Sequence, residues 1–138
     1  SCYHPDSYDD HGHFKGNGHE FADFIVESLR GRCHATSHVV TNILIELDPS
    51  DHDRATGESY ATSYLRRTGD DGREWLDVFA GRYLDVFERR GGEWRFASRV
   101  VVHDWSLTTP IDGPDAIPIP MEGFAQGRHG PDDPVYDL

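Results

Sequence analysis

The stretch YDDHGHFKG, residues 8–16, brings carboxylates and imidazoles close enough together for metal binding or proton transfer. If this stretch is a strand, alternation places Asp9, His11 and His13 on one face and turns Asp10 to the other. A His-x-His metal site needs a third ligand soon afterwards, but Phe, Lys, Gly and Asn follow His13. The sequence also lacks a cysteine pair at zinc-binding spacing and a His-Glu-x-x-His motif, so we predict no bound metal.

His38 is the strongest single candidate for a catalytic base. It lies within the apolar segment HVVTNILIEL, with Val40 and Leu44 on its own face. Partial removal from water favours the neutral imidazole, which can accept a proton near pH 7. The alternative is a structural histidine satisfied within the core, and the residue pattern alone favours that alternative.

Arg99 is the second candidate, because it lies between Ala97 and Val101 on an otherwise apolar segment. A guanidinium in such a place needs an anionic partner. The partner is either a structural carboxylate or negative charge that develops on a substrate, and the residues alone favour the structural pair.

The neighbours of Arg99 depend on the turn in RRGGEW. A two-residue turn at Gly91 and Gly92 pairs odd positions of the preceding strand with even positions of the following one. A three-residue loop over residues 90–92 instead pairs odd positions of one strand with odd positions of the other. It would set Phe79, Gly81 and Tyr83 beside Arg99, Val101 and His103. The residues do not decide between the two turns.

A helix and four strands must position these residues. Asn17 and Glu20 have the spacing of a capping box, and Phe21 begins an apolar stripe at helical intervals that Gly31 ends. From His34 onward the period changes to two, and turn-forming residues separate four segments rich in β-branched and aromatic residues. These segments predict an antiparallel meander over residues 34–48, 54–67, 73–90 and 93–107.

The third strand is too long to stay straight, since its residues would extend over more than about 50 Å. A glycine inside a strand usually marks a bulge or bend, so Gly81 is the predicted hinge. Both faces of this strand are apolar, so we expect a helix to cover one face and a second sheet face or subunit to cover the other. We therefore expect a homo-oligomer, a dimer or trimer, that associates through the outer residues Leu76, Val78, Leu84 and Val86.

The composition bounds the possible partners and location. The 138 residues include 25 acidic and 13 basic side chains, a formal net charge of −12 that argues against nucleic acid as a partner. No apolar run is long enough to span a membrane, and the start of the sequence is not typical of a secretory signal. We predict a cytoplasmic protein with free thiols at Cys2 and Cys33, one domain over residues 1–107, and a Pro- and Gly-rich tail over residues 108–138 that packs on it.

Four segments in sequence order, CYHPDSYDDHGHFKG, HVVTN, GRYLDVFERRGGEWRF and RVVVHDW, resemble the SnoaL-like branch of the nuclear transport factor 2-like superfamily. The resemblance covers residues 2–107. It implies a cystatin-like α+β fold, in which a curved antiparallel β-sheet wraps around helices and forms a cone with an internal, mostly apolar pocket. Members include cofactor-free dehydrohalogenases and dehydratases, polyketide cyclases and non-catalytic subunits.

The resemblance also implies roles for particular residues. His38 matches the general base of the family, and Arg99 matches a basic residue that assists the leaving group. Because that match requires Arg99 to share the pocket face with Tyr83, it favours the three-residue turn. The implied substrate-binding residues are Asp9, His11, Phe79, Tyr83, Val101 and His103.

The expected function is that of a cofactor-independent lyase or isomerase acting on a small hydrophobic molecule, with His38 removing a proton from carbon. The family begins with helices that carry an Asp orienting the base, and we expect these helices to precede the present sequence; otherwise Asp9 or His11 must orient His38. The alternatives are a non-catalytic ligand-binding or structural subunit, and a hydrolase or polyketide cyclase. A carboxylate beside His38 would favour the enzyme, whereas a pocket plugged by side chains would favour the subunit.

Overall fold

The computed structural model describes residues 2–111, 123–125, 127, 128 and 130–137. A curved six-stranded sheet and one long helix form its main body, which confirms the predicted α+β fold class. The elements are β1 (Tyr3–Asp10), β2 (Lys15–Asn17), α1 (Gly18–Arg32), β3 (Ala35–Asp48), β4 (Asp51–Thr68), β5 (Glu74–Arg90), β6 (Glu93–Pro110) and a short 3₁₀-helix (Pro134–Asp137). The strand order across the sheet is β2-β1-β6-β5-β4-β3.

The predicted helix and meander are confirmed. Helix α1 begins after Asn17, whose side-chain oxygen accepts a hydrogen bond of 2.9 Å from the His19 backbone N–H. It ends at Arg32, and the backbone N–H of the next residue, Cys33, donates to the Leu29 carbonyl. Strands β3 to β6 pair as consecutive antiparallel neighbours, and β6 runs to Pro110, beyond the predicted end at Leu107.

The sheet is mixed, and to this extent the expected antiparallel sheet was wrong. Strand β1 lies parallel to β6 and pairs through Asp9 with Arg99, so the edge of β6 is covered. The register of this pair shifts between Tyr3 and Tyr8, around Pro5, because proline has no N–H to donate to a ladder. Most of the predicted tail, including residues 112–122, lies outside the described residues.

The turn between β5 and β6 has two residues, so the three-residue loop was wrong. Arg90 pairs with Glu93 across Gly91 and Gly92, whose φ angles of 62° and 87° are those of a tight hairpin turn with left-handed residues. A bulge then adds one residue to β6, because Phe87 pairs with Phe96 but Val86 pairs with Ser98. Odd positions of the two strands face each other from there to Gly81, and Arg99 shares a face with Tyr83 as predicted.

Gly81 lies at a second bulge, as predicted for a hinge. Ala80 pairs with Trp105 and Gly81 with His103, which leaves Asp104 as the extra residue of β6. A side chain at Gly81 would clash with the Val102 carbonyl oxygen, so only glycine permits this approach of the two backbones. Bulges bend strands and increase their twist, so this position contributes to the curvature of the sheet.

The outer residues of β5 are less exposed than predicted. Val78 is buried within the single chain, because Tyr64 and Leu107 flank it on the neighbouring strands. Leu76 and Val86 are half-buried, and Leu84 is exposed. Burial of Val78 therefore requires no second subunit. In the described part of the chain, no helix has the length and apolar character needed to cross a membrane.

Candidate functional site

The eight predicted site residues lie on or beside one face of the sheet, here called the concave face. The strand register defines it, because side chains of directly paired residues point to the same side. Across the sheet, His38 pairs with Ser63, and Ser63 pairs in turn with Phe79. The next rows of paired residues on this face contain Gly81 with His103, and Tyr83 with Val101. Asp85, Arg99 and Asp9 form the row nearest β1. Helix α1 covers the β1 end of this face, where the buried Phe21 stacks on His11.

His38 lies on β3, the edge strand farthest from β1, and its side chain is exposed in the chain. Partial burial by its surroundings nevertheless holds the pKa of His38 below its ordinary value. The imidazole is therefore neutral at pH 7 and can accept a proton. Among the described residues no carboxylate forms a hydrogen bond with His38, so the expected orienting acid is not present in this part of the chain.

The centre of the concave face combines aromatic rings with small side chains. The rings of Phe79 and His103 have centroids 5.2 Å apart. Strand β4 presents Ser59, Ala61 and Ser63 on this face, all small and all buried.

A concavity of about 220 Å³ lies between α1 and the start of β3. It is lined by Val26, Leu29, Arg30, Thr36 and Gly130. Thr36 precedes His38 by two residues and points to the same side, so this concavity adjoins the candidate base. A second concavity, of about 540 Å³, lies at the β5–β6 hairpin and includes Trp94 and Phe96, away from His38.

Arg99 forms an ion pair with Asp85, a partner that the sequence analysis had not named. Its Nε and Nη2 donate to the two carboxylate oxygens of Asp85 at 2.7 and 2.8 Å. The guanidinium also lies 4.1 Å from the ring centroid of Tyr83 and 4.3 Å from that of Phe96. Burial opposes the charge, but the hydrogen bonds and negative charge of Asp85 outweigh it, and the pKa of Arg99 is raised. Arg99 is therefore a fixed cation within the site.

Asp9 and His11 form a second polar pair at the β1 end of the concave face. Nδ1 of His11 makes a hydrogen-bonding contact with Oδ1 of the fully buried Asp9. The Tyr3 hydroxyl donates to Oδ2 of Asp9 at 2.6 Å. Burial, the hydrogen bond to Asp9 and its negative charge raise the pKa of Tyr3, so the phenol keeps its proton. The His11 ring stacks on Phe21 at 3.7 Å between centroids.

His13 does not join this pair, so the predicted shared face of Asp9, His11 and His13 was wrong. Strand β1 ends at Asp10, and Gly12 with a φ of 73° turns the chain before His13, which is exposed. Asp10 pairs instead with Lys15, whose Nζ lies 2.8 Å from Oδ2. In residues 2–111 and the described parts of the tail, no three His, Cys, Asp or Glu side chains form a group suited to a metal ion.

Two polar residues of the site were missed at the sequence level. Asp85 occupies an odd position of β5, between Tyr83 and Phe87, and an acidic residue on that apolar face was the available signal. The signal becomes decisive only with the register that sets it opposite Arg99. Tyr3 gave no signal, because its contact with Asp9 depends on the irregular backbone of β1.

The comparison with known proteins agrees with this arrangement. The profile of the SnoaL-like domain matches residues 1–100. The chain belongs to this family. The comparison with curated proteins gives no match.

Solved structures with the same fold include a protein named as a dehydrochlorinase and one named as a putative dehydratase. The chain is 22% identical to hexachlorocyclohexane dehydrochlorinase LinA-type3 from Novosphingobium barchaimii LL02, with a TM-score of 0.65 over 86% of this SnoaL-like chain and 78% of that protein. It is 20% identical to a putative scytalone dehydratase from Novosphingobium aromaticivorans, with a TM-score of 0.63 over 77% and 68% of the two chains.

A third neighbour is of a different kind. A putative calcium/calmodulin-dependent protein kinase II association domain from Xanthomonas campestris is 20% identical, with a TM-score of 0.55 over 75% of this chain and 69% of that one. At these identities the three likenesses show the fold, and the activity has to be argued from the residues of the site.

Proposed function

We propose that this SnoaL-like protein is a cofactor-independent lyase or isomerase that eliminates water or halide from a small hydrophobic substrate, with His38 as the general base. The observation that carries the proposal is the neutral His38 on the concave face, in the same row as Ser63 and Phe79. A base with a pKa below its ordinary value is unprotonated at pH 7 and remains available to accept a proton.

The proposed reaction needs only proton transfer and charge stabilisation. His38 takes a proton from carbon, the C–H electron pair forms a carbon–carbon double bond, and the leaving group departs with the electrons of its bond. Arg99, kept charged by Asp85, supplies a fixed positive charge on the same face. Preorganised charge of this kind stabilises negative charge as it develops on the leaving atom.

The concave face favours an apolar, ring-shaped substrate. Phe79, Tyr83 and Val101 offer apolar contact on this face, beside the small side chains of β4. Two structural neighbours are named for hexachlorocyclohexane and scytalone. A chlorinated or hydroxylated carbocycle is therefore the substrate class that we propose.

A second candidate is a non-catalytic ligand-binding or assembly subunit. One observation favours it, since no carboxylate orients His38 in the described part of the chain. One structural neighbour with the same fold is named as an association domain, so the fold also occurs in a protein named for assembly.

The proposal is tested with the purified protein and two compounds, hexachlorocyclohexane and scytalone, by measuring chloride release and dehydration respectively. We expect turnover of at least one compound, and a decrease in kcat of about 10²–10⁴-fold in His38→Gln because the proton acceptor is lost. His52→Gln is the matched control, since His52 is an exposed histidine on β4. No turnover by the unsubstituted protein, or full activity in His38→Gln, would overturn the proposal.

A further inference from the structure

We propose that the concavity between α1 and the start of β3 is a subsite for an anionic substituent of the substrate, in which Arg30 and Thr36 bind a carboxylate. The binding of a carboxylate there does not depend on catalysis, whereas its place in a substrate rests on the proposed function. The substrate class then becomes a small carbocycle that bears a carboxylate.

The concavity combines an apolar wall with two polar groups. Val26, Leu29 and Arg30 of α1 line it together with Thr36 of β3. Residues three and four positions apart are neighbours on a helix surface, so the three helical residues form one continuous wall. The volume of about 220 Å³ is below the range of about 300–1,000 Å³ for drug-sized ligands, so the concavity fits a molecule of one or two rings.

The two polar groups keep their donors available for a ligand. Among the described residues, the Arg30 guanidinium and the Thr36 hydroxyl form no hydrogen bond, and Arg30 forms no ion pair. Glu27 precedes Arg30 by three residues on the helix without pairing with it. A guanidinium stays charged at any physiological pH, and its parallel N–H groups match the two oxygens of a carboxylate.

Arg30 differs in this respect from the arginines of the sheet. Every arginine of strands β4, β5 and β6 forms an ion pair with a carboxylate of the chain. Arg32 also lies in the last turn of α1, where positive charge favours the carbonyl end of a helix. Its charge helps to lower the pKa of Asp77, after the hydrogen bond from Arg67. Arg30 alone of the two helical arginines lines the concavity.

The charge of the whole chain makes a local cation necessary for an anionic ligand. The formal net charge of −12 repels anions over most of the surface. An unpaired arginine beside the apolar side chains of Val26 and Leu29 reverses that repulsion at one place. The combination fits an amphiphilic anion, whose ring contacts the apolar wall while its carboxylate binds the guanidinium.

The position of Thr36 connects this subsite with the candidate base. Thr36 and His38 are paired with Leu65 and Ser63 in regular register, so both side chains point to the concave side. Two residues of a strand advance by about 6.6 Å. A carboxylate bound at Thr36 therefore leaves an attached ring beside His38, where the proposed reaction removes a proton from carbon.

The test is a binding measurement with two probes of the same ring, 1-naphthoate and its neutral amide, 1-naphthamide. Isothermal titration calorimetry of the unsubstituted protein should give at least about tenfold tighter binding of naphthoate, because hydrogen bonds to charged groups are the stronger ones. In Arg30→Gln the affinity for naphthoate should fall by about tenfold or more, while that for naphthamide stays within about twofold. Thr36→Val should weaken naphthoate by about three- to tenfold through loss of the hydroxyl donor.

Arg32→Gln is the matched control, because it removes an arginine from the same helical turn but from outside the concavity. It should change both affinities by less than about twofold, and Arg30→Lys should restore part of the preference for naphthoate because it keeps the charge. Both arginines are exposed, and glutamine has nearly the helix propensity of arginine, so the variants should fold. A circular dichroism melt verifies this.

A second readout locates the probe. At saturating naphthoate, NMR of the histidine rings should show a shift of the His38 resonances and none for His52, an exposed histidine at the start of β4. A shift of His52 without a shift of His38 would place the probe elsewhere and overturn the subsite.

The outcomes separate this inference from the proposed function. Equal affinities of the unsubstituted protein for the two probes, or equal losses in Arg30→Gln and Arg32→Gln, would overturn the subsite whether or not the protein is a lyase. Binding that depends on Arg30, in a protein that turns over neither hexachlorocyclohexane nor scytalone, would support the anion site and reject the proposed function. If one compound is turned over, naphthoate should inhibit competitively, and noncompetitive inhibition would overturn its place in the substrate site.

Discussion

His38 and His11 lie at opposite edges of the same sheet face and are held in different ways. His38 has partial burial without a carboxylate partner among the described residues, which favours the neutral base. His11 has a buried carboxylate against one nitrogen.

The lowered pKa of His38 predicts the pH dependence of the proposed reaction. A base must be unprotonated to act, so kcat/KM should fall as the pH decreases through the pKa of His38. Because burial lowers that pKa, the midpoint should lie below the ordinary histidine value of about 6.5. A pH series of kcat/KM for the unsubstituted protein measures it, and residual activity of His38→Gln should lack this limb. A midpoint above about 6.5 would contradict the assignment.

At the residue scale, the sequence pattern predicted which residues belong to the site better than it predicted their ion-pair and hydrogen-bond partners. Period-two alternation left open whether Tyr83 and Arg99 share a face, and the family resemblance favoured the shared face that the structure has. It could not predict that Asp85 would lie against Arg99, because that contact needs the exact register. The Tyr3 hydroxyl reaches Asp9 only through a shift in the β1 ladder around Pro5, which no local pattern specifies.

The curvature of the sheet depends on glycine at position 81. Gly81→Ala places a methyl group against the Val102 carbonyl oxygen, and the bulge must shift to accommodate it. We expect a decrease of about 1–3 kcal/mol in the free energy of unfolding, measured by chemical denaturation. Because the bulge positions His103 opposite Gly81, the same substitution should also move the Phe79 and His103 rings apart.

Gly31→Ala is the control for this substitution. Gly31 lies in α1 with an ordinary backbone conformation and no atom within 4 Å of the added methyl group. Alanine there should leave stability unchanged or raise it by up to about 1 kcal/mol. Equal effects of the two substitutions would show that Gly81 is not a required close approach.

At the element scale, the sequence predicted the helix and the strands but did not determine the register between neighbouring strands. The helix and the four long strands follow from periodicity and turn residues, so their limits agree with the structure to within a few residues. The turn was different, because Gly91 and Gly92 fit both a two-residue and a three-residue connection. A bulge after Phe96 then compensated for the shorter turn. Bulges depend on how two strands fit together, and that information is distributed over both strands.

The whole molecule presents a broad apolar surface on the side opposite the concave face. The following exposed side chains define this outer face: Val39, Tyr60, Tyr64, Leu84, Val100, Trp105 and Leu107. Within this face Arg82 forms ion pairs with Glu58 and with Asp104. An apolar surface of this extent fits a second copy of the same face better than a charged partner.

We therefore propose that the protein associates through the outer face, and Leu107→Lys tests it. Leu107 is 52% exposed, and burial of a leucine contributes about 1.5–3 kcal/mol, so a lysine there should weaken association by at least about tenfold. Ile45→Lys is the control, because Ile45 is 56% exposed but points to the concave side. Light scattering after size exclusion should give a multiple of the chain mass for the unsubstituted protein and for Ile45→Lys, and a shift toward the single chain for Leu107→Lys. A single-chain mass for the unsubstituted protein at high concentration, or the same shift in both variants, would exclude the outer face as the interface.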